Sequence, residues 1–335
     1  MIATGPDAVP VMPSWPGMAS FRGMVIHAGQ FRSTAEMAGR DVLVVGPGNS
    51  GVDLLNHLVR SDAGRLWLSA RSGMNIVPLR LAGIPMHPVG LAGRRLPRRV
   101  QDANVRAVQR LAFGDLARYG YPRSDVGAFT RVAADGVTVA VDDGFARALK
   151  AGRVVMKPGV DHFEGPNVCF ADGSACAPDV VICATGYRPA LGPLAGHLVA
   201  LDAHGMPPFT GPSPSPSHPG LWFFGLDRSI YGNMHIHRPQ ARRLAHMIAD
   251  KPGLPLSSRS SMLLPGDSTI YQDWLTTNTC VFPCLSSYRP PALQVPLGAH
   301  DSAVMLVPPP GPRAAGGGSM VAVFQVPFTS LTTNA

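Results

Sequence analysis

The sequence is poor in lysine, in paired cysteines and in long apolar runs. Among its 29 basic residues only Lys150, Lys157 and Lys251 are lysines. Charged residues make up 15% of the chain, with a formal balance of +8. A basic surplus can mark a nucleic-acid or membrane partner. Here the arginines are scattered and no aromatic-rich basic platform accompanies them, so nucleic acid is not an expected partner. The five cysteines (Cys169, Cys176, Cys183, Cys280 and Cys284) are odd in number and contain no C-x-x-C pair. That argues against a disulfide framework and a dithiol reductase, and favours a reducing compartment. Cys280 and Cys284 have no histidine close by to complete a zinc set, and no metal site is expected. The start carries no basic region followed by an apolar core, and no apolar run reaches the length of a bilayer span. The reading is a cytoplasmic protein without a transmembrane segment.

What is present is enough material for two domains, or one domain and a tail: 335 residues, 45% of them hydrophobic. The chain is organised around residues 39–59. Asp41 to Val45 is a short, β-branched-rich apolar run of the kind parallel sheets bury on both faces. Gly46-Pro-Gly-Asn-Ser-Gly51 follows with G-x-G-x-x-G spacing, and Val52, Leu55, Leu58 and Val59 then recur with helical period. In a dinucleotide site the first glycine permits the tight turn, the second lets the backbone approach the pyrophosphate and the third lets the helix pack closely. The helix start supplies free N–H groups and a positive dipole end. A strand before the motif and a helix after it are the context it requires. Gly46, Gly48, Asn49, Ser50 and Gly51 are therefore expected to bind a dinucleotide; the competing reading is an ordinary glycine-rich αβ turn.

The next strand, Arg65-Leu-Trp-Leu-Ser-Ala-Arg71, ends about where an acidic residue would hold the ribose hydroxyls of NAD. No Asp or Glu stands there. Ser69, Arg71 and Ser72 do, and a hydroxyl with a guanidinium suits a 2′-phosphate, so the expected cofactor is NADPH. The alternative is a plain surface arginine at a strand end.

Upstream, Phe21-x-Gly23-x-x-x-His27-x-x-x-Phe31 resembles the F-x-G-x-x-x-H-x-x-x-[YFW] fingerprint of class B flavoprotein monooxygenases, the group of flavin-containing, N-hydroxylating and Baeyer–Villiger enzymes. Val180-Val-Ile-Cys-Ala-Thr-Gly-Tyr187 is similar to that family's strand ending in A-T-G-Y, and Pro219-Gly-Leu-Trp-Phe-Phe-Gly225 to its P-G-L-[YF]-x-x-G segment. The middle section is similar to the plant auxin-forming branch. The resemblance covers roughly residues 1 to 250, with its motifs in family order. It implies FAD beside NADPH, oxygenation of a small-molecule substrate through a flavin hydroperoxide, and a flavin bordered by Thr4, Gly5, Thr185, Gly186 and Gly225. The first FAD-binding G-x-G-x-x-G unit of that family is not seen, and Met1-Ile-Ala-Thr-Gly5 resembles the A-T-G closing it. The expectation is thus an N-terminally truncated form, with two alternatives: a separate chain supplies the unit, or the chain is an inactive NADPH-binding fragment.

The implied fold is α/β, a Rossmann-like NADPH-binding domain inserted in the C-terminal remainder of a two-dinucleotide-binding-domain flavoprotein, plus an irregular tail. The segments read as 1–38, a remnant of the FAD domain with the fingerprint; 39–178, the NADPH domain; 179–252, the C-terminal part of the FAD domain; and 253–335, a low-complexity tail rich in proline, serine and glycine. Residues 93–112 read as a basic helix with an apolar face of Val100, Val105, Val108, Leu111 and Ala112. Pro239 reads as the first residue of a later helix. His235 and His237, two apart, read as helix entry rather than metal ligands, and His27 as either a satisfied structural group or a cleft-side linker.

Overall fold

The computed structural model describes residues 1–249 together with two short strands further on. The elements that position the site are β1 (Ile2–Ala3), β2 (Met24–His27), β3 (Val42–Val45), α1 (Asn49–Leu58), β4 (Leu66–Ser69), α2 (Arg98–Phe113), β5 (Val154–Lys157), β6 (Val160–Glu164), β7 (Asn167–Phe170), β8 (Ala175–Cys176), β9 (Val180–Cys183), α3 (Asn233–Ala249), β10 (Val304–Leu306) and β11 (Val323–Gln325). Apart from β10 and β11, the tail expected over 253–335 lies outside the described residues.

The centre is a five-stranded sheet in the order β5-β4-β3-β9-β2, parallel at every junction. Because successive side chains on a strand point to opposite faces, the apolar runs feed two cores. Val42, Val44, Leu66, Leu68, Val180 and Ile182 face one cluster, into which α1 sends Val52, Leu55 and Leu58. Leu43, Val45, Trp67, Val181 and Cys183 face the other, closed by Phe163, Val168 and Phe170 from the antiparallel sheet β6-β7-β8. Burying one such aliphatic side chain stabilises by about 1.5–3 kcal/mol. The two-sided burial explains why β3 and β9 read as unbroken hydrophobic runs.

This sheet crosses the segment boundaries drawn from the sequence. β2, from residues 1–38, and β9, from residues 179–252, belong to the same sheet as β3 and β4. Motif order divides a chain linearly, whereas hydrogen bonding unites segments far apart: Val181 pairs with Leu43 on one side and Val25 on the other.

A second, smaller assembly holds the chain start. Ile2 bridges Phe223 in parallel, with Ile2 N–H donating to the Trp222 carbonyl at 2.8 Å and Phe224 N–H to the Ile2 carbonyl at 2.9 Å. On its other side β1 pairs in parallel with β11, which pairs antiparallel with β10. Leu191, Ala195, Val199, Phe223 and Leu226 form the core under this edge, with Ile2 against them.

Two local readings are corrected. The expected apolar stripe of α2 is only partly covered: Val105 and Val108 are half-buried and Ala112 packs on the larger core, but Leu111 is 76% exposed and Val100 is exposed as well, while Asp102 and Phe113 are the fully buried positions. The Asp102 carboxylate instead accepts from Phe129 N–H at 2.6 Å and Thr130 Oγ1–H at 2.6 Å, holding the start of the helix Ala128–Asp135. A buried capping contact outweighs weak periodicity here. Pro239 sits inside α3 rather than opening it. The helix begins at Asn233, whose side-chain oxygen accepts from Ser229 N–H, so one intrahelical bond is missing at the proline instead of the helix starting there. No helix among the described residues is long and apolar enough to cross a membrane.

Candidate functional site

From β3 the chain proceeds outward to β4 and β5, while β9 and β2 lie on the other side, so the direction of winding reverses between β3 and β9. Open parallel sheets bind ligands in the crevice at the carboxyl ends of strands flanking such a reversal. The residues following β3 are Gly46–Gly51, and those following β9 are Ala184–Gly186. Both expected loops therefore meet at one place.

The glycine loop is built from contacts that admit no side chain at two positions. Gly46 has φ 113°, a region that favours glycine, and a Cβ there would overlap the Ala184 carbonyl across the β3/β9 junction. A Cβ on Gly51 would overlap the carbonyl of Gly46. Gly48 differs, since a Cβ there would meet only the Met74 methyl at 3.8 Å, and its open side faces outward. Gly48 is the N-cap of α1 and makes no side-chain cap, so the first-turn amides gain no capping side chain from within the fold. Asn49 and Ser50 are exposed, but the Asn49 Oδ1 accepts from Val141 N–H at 3.1 Å. Two turns on, buried Asn56 donates to the Val141 carbonyl and accepts from Asp143 and Phe145 N–H, about 3.0 Å each. Those bonds staple α1 to the strand Ala140–Asp142. Asn56 was not singled out from sequence; a lone buried asparagine on an apolar helix face was its only signal.

The two residues expected beyond β4 have different surroundings. Ser69 is buried and its hydroxyl donates to the Pro158 carbonyl at 2.6 Å, joining the ends of β4 and β5. Arg71 is exposed and makes no ion pair among the described residues. Its aliphatic stem runs beside Gly159, where a Cβ would lie 2.7 Å from Arg71 Cγ. Gly159 thus makes room for the stem of an arginine that is unpaired among the described residues.

The fingerprint residues brace β2 against its neighbours. Phe21 packs edge-on against Phe163 at 5.1 Å between ring centres, and a Cβ at Gly23 would crowd the Asp179 carbonyl at 2.7 Å. Phe31 leans on the larger core. His27 is buried; Nε2 lies 3.0 Å from the Gly186 carbonyl and Nδ1 accepts from Gly29 N–H at 3.1 Å. With one nitrogen donating and one accepting, the ring is the neutral Nε2–H tautomer assigned from its partners. Burial lowers its pKa below the ordinary value of 6.5, only partly offset by the bond to Gly186. The same Gly186 carbonyl accepts from Val11 N–H, and Thr185 Oγ1–H donates to the Val11 carbonyl at 2.5 Å. His27 is consequently a tie between the fingerprint strand and the A-T-G-Y turn.

The second half of the site lies along β1 and its partner segment. Gly5 and Gly225 follow the paired positions Ile2 and Phe223, each with positive φ. Among the described residues the buried Thr4 hydroxyl has no hydrogen-bond partner, and nothing would contact a Cβ on Gly5 within 4 Å. Near Gly225, Asp227 accepts from Thr210 at 2.6 Å and from Gln240 Nε2 at 2.9 Å, while the Gln240 Oε1 is buried without a partner. His237 Nε2 lies 3.2 Å from the Asp227 carbonyl, a structural contact that His235 does not share. Asp227 and Gln240 were not anticipated from sequence, because their proximity depends on α3 folding back over the segment. An open cavity of about 570 Å³ lined by Phe21, Met24, Arg40 and Asp179 sits at the opposite, amino-terminal end of the sheet. None of the glycine-loop residues borders it, and topology locates the site better than concavity does.

A parallel sheet with a glycine loop after β3 and the Ala184–Gly186 loop after β9 makes this an α/β protein. The chain belongs to the flavin-binding monooxygenase-like family, whose model matches residues 1–263, and so to the class B flavoprotein monooxygenases. It is 35% identical over 193 residues to the indole-3-pyruvate monooxygenase YUCCA4 of Oryza sativa subsp. japonica, covering 56% of this chain and 43% of that protein. To the probable indole-3-pyruvate monooxygenase YUCCA9 of Arabidopsis thaliana it is 30% identical over 230 residues, covering 68% of this chain and 54% of the relative. The chain thus spans about half the length of the curated relatives it matches. A structure of cyclohexanone monooxygenase with bound ε-caprolactone superposes with a TM-score of 0.51 at 15% identity, covering 73% of this chain and 61% of that one. That likeness is one of fold.

Proposed function

We propose that this chain carries the NADPH-binding part, and a share of the FAD-binding part, of a monooxygenase acting on a small-molecule substrate. The observation that carries the reading is the meeting of Gly46–Gly51 and Ala184–Gly186 at the strand reversal, with an uncapped helix start behind Gly48. Gly46 and Gly51 shape the loop, Gly48 leaves the diphosphate room, and the Asn49 and Ser50 amides at the start of α1 receive its charge. Arg71, unpaired and exposed, takes the 2′-phosphate. Ser69 holds the ends of β4 and β5 together instead, since its hydroxyl is already donated inside the fold.

The residues on the other side fit a flavin. A buried Thr4 hydroxyl, partnerless among the described residues, and the open space at Gly5 suit a polar group; Thr185 and Gly186 are tied to Val11 further along the same segment, and Gly225 follows the Phe223 position that bridges Ile2. When bound, NADPH and FAD together supply the electrons that activate molecular oxygen. The protein's contribution is to position, to exclude water and to bind charge; no general acid–base pair is required of it. In domain terms, residues 39–178 with β2 and β9 added form the NADPH unit, inserted between the chain start and residues from about 187 onward.

The test is spectroscopic. The purified full chain is expected to be yellow, with flavin absorbance, to give a saturable signal on NADPH titration and to oxidise NADPH in an oxygen-dependent way. A folded but colourless sample without saturable NADPH binding would sink the proposal.

A further inference from the structure

The antiparallel sheet β6-β7-β8 turns one face to the core and the other to solvent. Phe163, Val168 and Phe170 point inward. His162 and Glu164, two apart on β6, share the outer face, and Cys169 stands directly opposite His162 on β7. The ligand atoms of His162, Glu164 and Cys169 all lie within 4.8 Å of one another. No part of the dinucleotide reading uses these three residues.

We propose that His162, Glu164 and Cys169 form a binding site for a borderline-soft divalent cation, with zinc the best match. An imidazole, a thiolate and a carboxylate are the zinc donor set, and three of them leave a fourth position for water. Zinc–ligand bonds of about 2.0–2.3 Å put tetrahedral ligand atoms roughly 3.5 Å apart. Closing from 4.8 Å requires only rotations of side chains that are partly or fully exposed. Three further features favour the site. The ladder slips between Val160 and His162, an irregularity that re-aims side chains, and Asp161 Oδ2 then accepts from His162 Nδ1–H at 2.9 Å. That bond orients the ring and leaves Nε2 free to ligate, the usual outer partner of a metal-bound histidine. Glu164 makes no ion pair and Cys169 no disulfide among the described residues. Across the ladder from Cys169 stands Ala175, which is too small to cover the thiol.

The H-x-E-x4-C spacing is not a recognisable ligand pattern, and it becomes a cluster only when the hairpin register pairs His162 with Cys169.

The probe is cobalt(II) titrated into the full-length protein. One equivalent is expected to give a thiolate-to-cobalt charge-transfer band and the strong visible bands of four-coordinate cobalt, both abolished by added zinc. Cys169→Ser should remove the charge-transfer band, His162→Ala and Glu164→Gln should each weaken binding tenfold or more, and Asp161→Asn about tenfold through the orientation of His162. Cys176→Ser, on the buried face, should leave the spectrum unchanged. Unaltered circular dichroism establishes that each variant is folded. Absence of the band in the wild type, or its persistence in folded Cys169→Ser, would overturn the assignment. Neither result bears on flavin or NADPH binding.

Discussion

The two loops that flank the proposed cofactors are built on opposite principles. Around Gly46–Gly51 the protein completes its own contacts: a Cβ at Gly46 or Gly51 would strike backbone, and Asn49, Asn56 and Ser69 all have partners within the fold. Around Thr4–Gly5 the contacts are left open, with a buried hydroxyl that has no partner among the described residues and free space at Gly5. Unmet polar groups in a protein interior are costly, about 1–3 kcal/mol each. The first loop is therefore completed within the fold, while the second leaves a hydroxyl that the proposed flavin would satisfy.

The sharpest way to break this contrast is a methyl group at each loop. Gly51→Ala should cost roughly 3 kcal/mol or more, because backbone must move to admit it. Gly5→Ala should cost only the strain of a positive φ, about 1–2 kcal/mol. Urea unfolding of the two variants measures both, and equal losses would erase the distinction.

The contact between the two halves comes next. His27→Ala leaves the Gly186 carbonyl with one bond fewer and should cost about 2 kcal/mol. The wild type should also lose stability in acid. Because the folded pKa of His27 lies below 6.5, the unfolded chain binds more protons as pH falls through that value. The His27 contribution is thus complete above pH 6.5 and is eroded below it. A His27→Asn chain should lack that part of the slope in unfolding measured from pH 8 to pH 5.

A charge-assisted phosphate contact is worth about 1.5–3 kcal/mol, so Arg71→Ala should weaken NADPH binding ten- to a hundredfold and barely affect NADH. Equal losses in paired titrations would refute the 2′-phosphate role. The smallest effect is expected from Thr4→Val, which removes the orphan hydroxyl at nearly constant volume. The ligand-free protein should gain up to about 1 kcal/mol while flavin affinity drops, and calorimetry with and without FAD reads both.

Much of this was legible beforehand. The β3–loop–α1 unit follows from a β-branched run, three glycines and a helical repeat, all signals within 20 residues of one another. The face of α2 was not, since Asp102 is buried by a partner helix that periodicity cannot see. Nor was the sheet's membership, because β2 and β9 join it through registers of long sequence separation.

By itself, the amino-acid order determined the local devices: which glycines shape the loop between β3 and α1, which strand end bears arginine in place of an acid, and which family the motifs belong to. Tertiary structure alone decided that Ser69 is engaged inside and Arg71 is free, that His27 is a tie, and that Thr4 is left without a partner. The physical reason is reach. Propensity and period act over a few residues, whereas burial and hydrogen-bond completion depend on groups that folding brings from the far end of the chain.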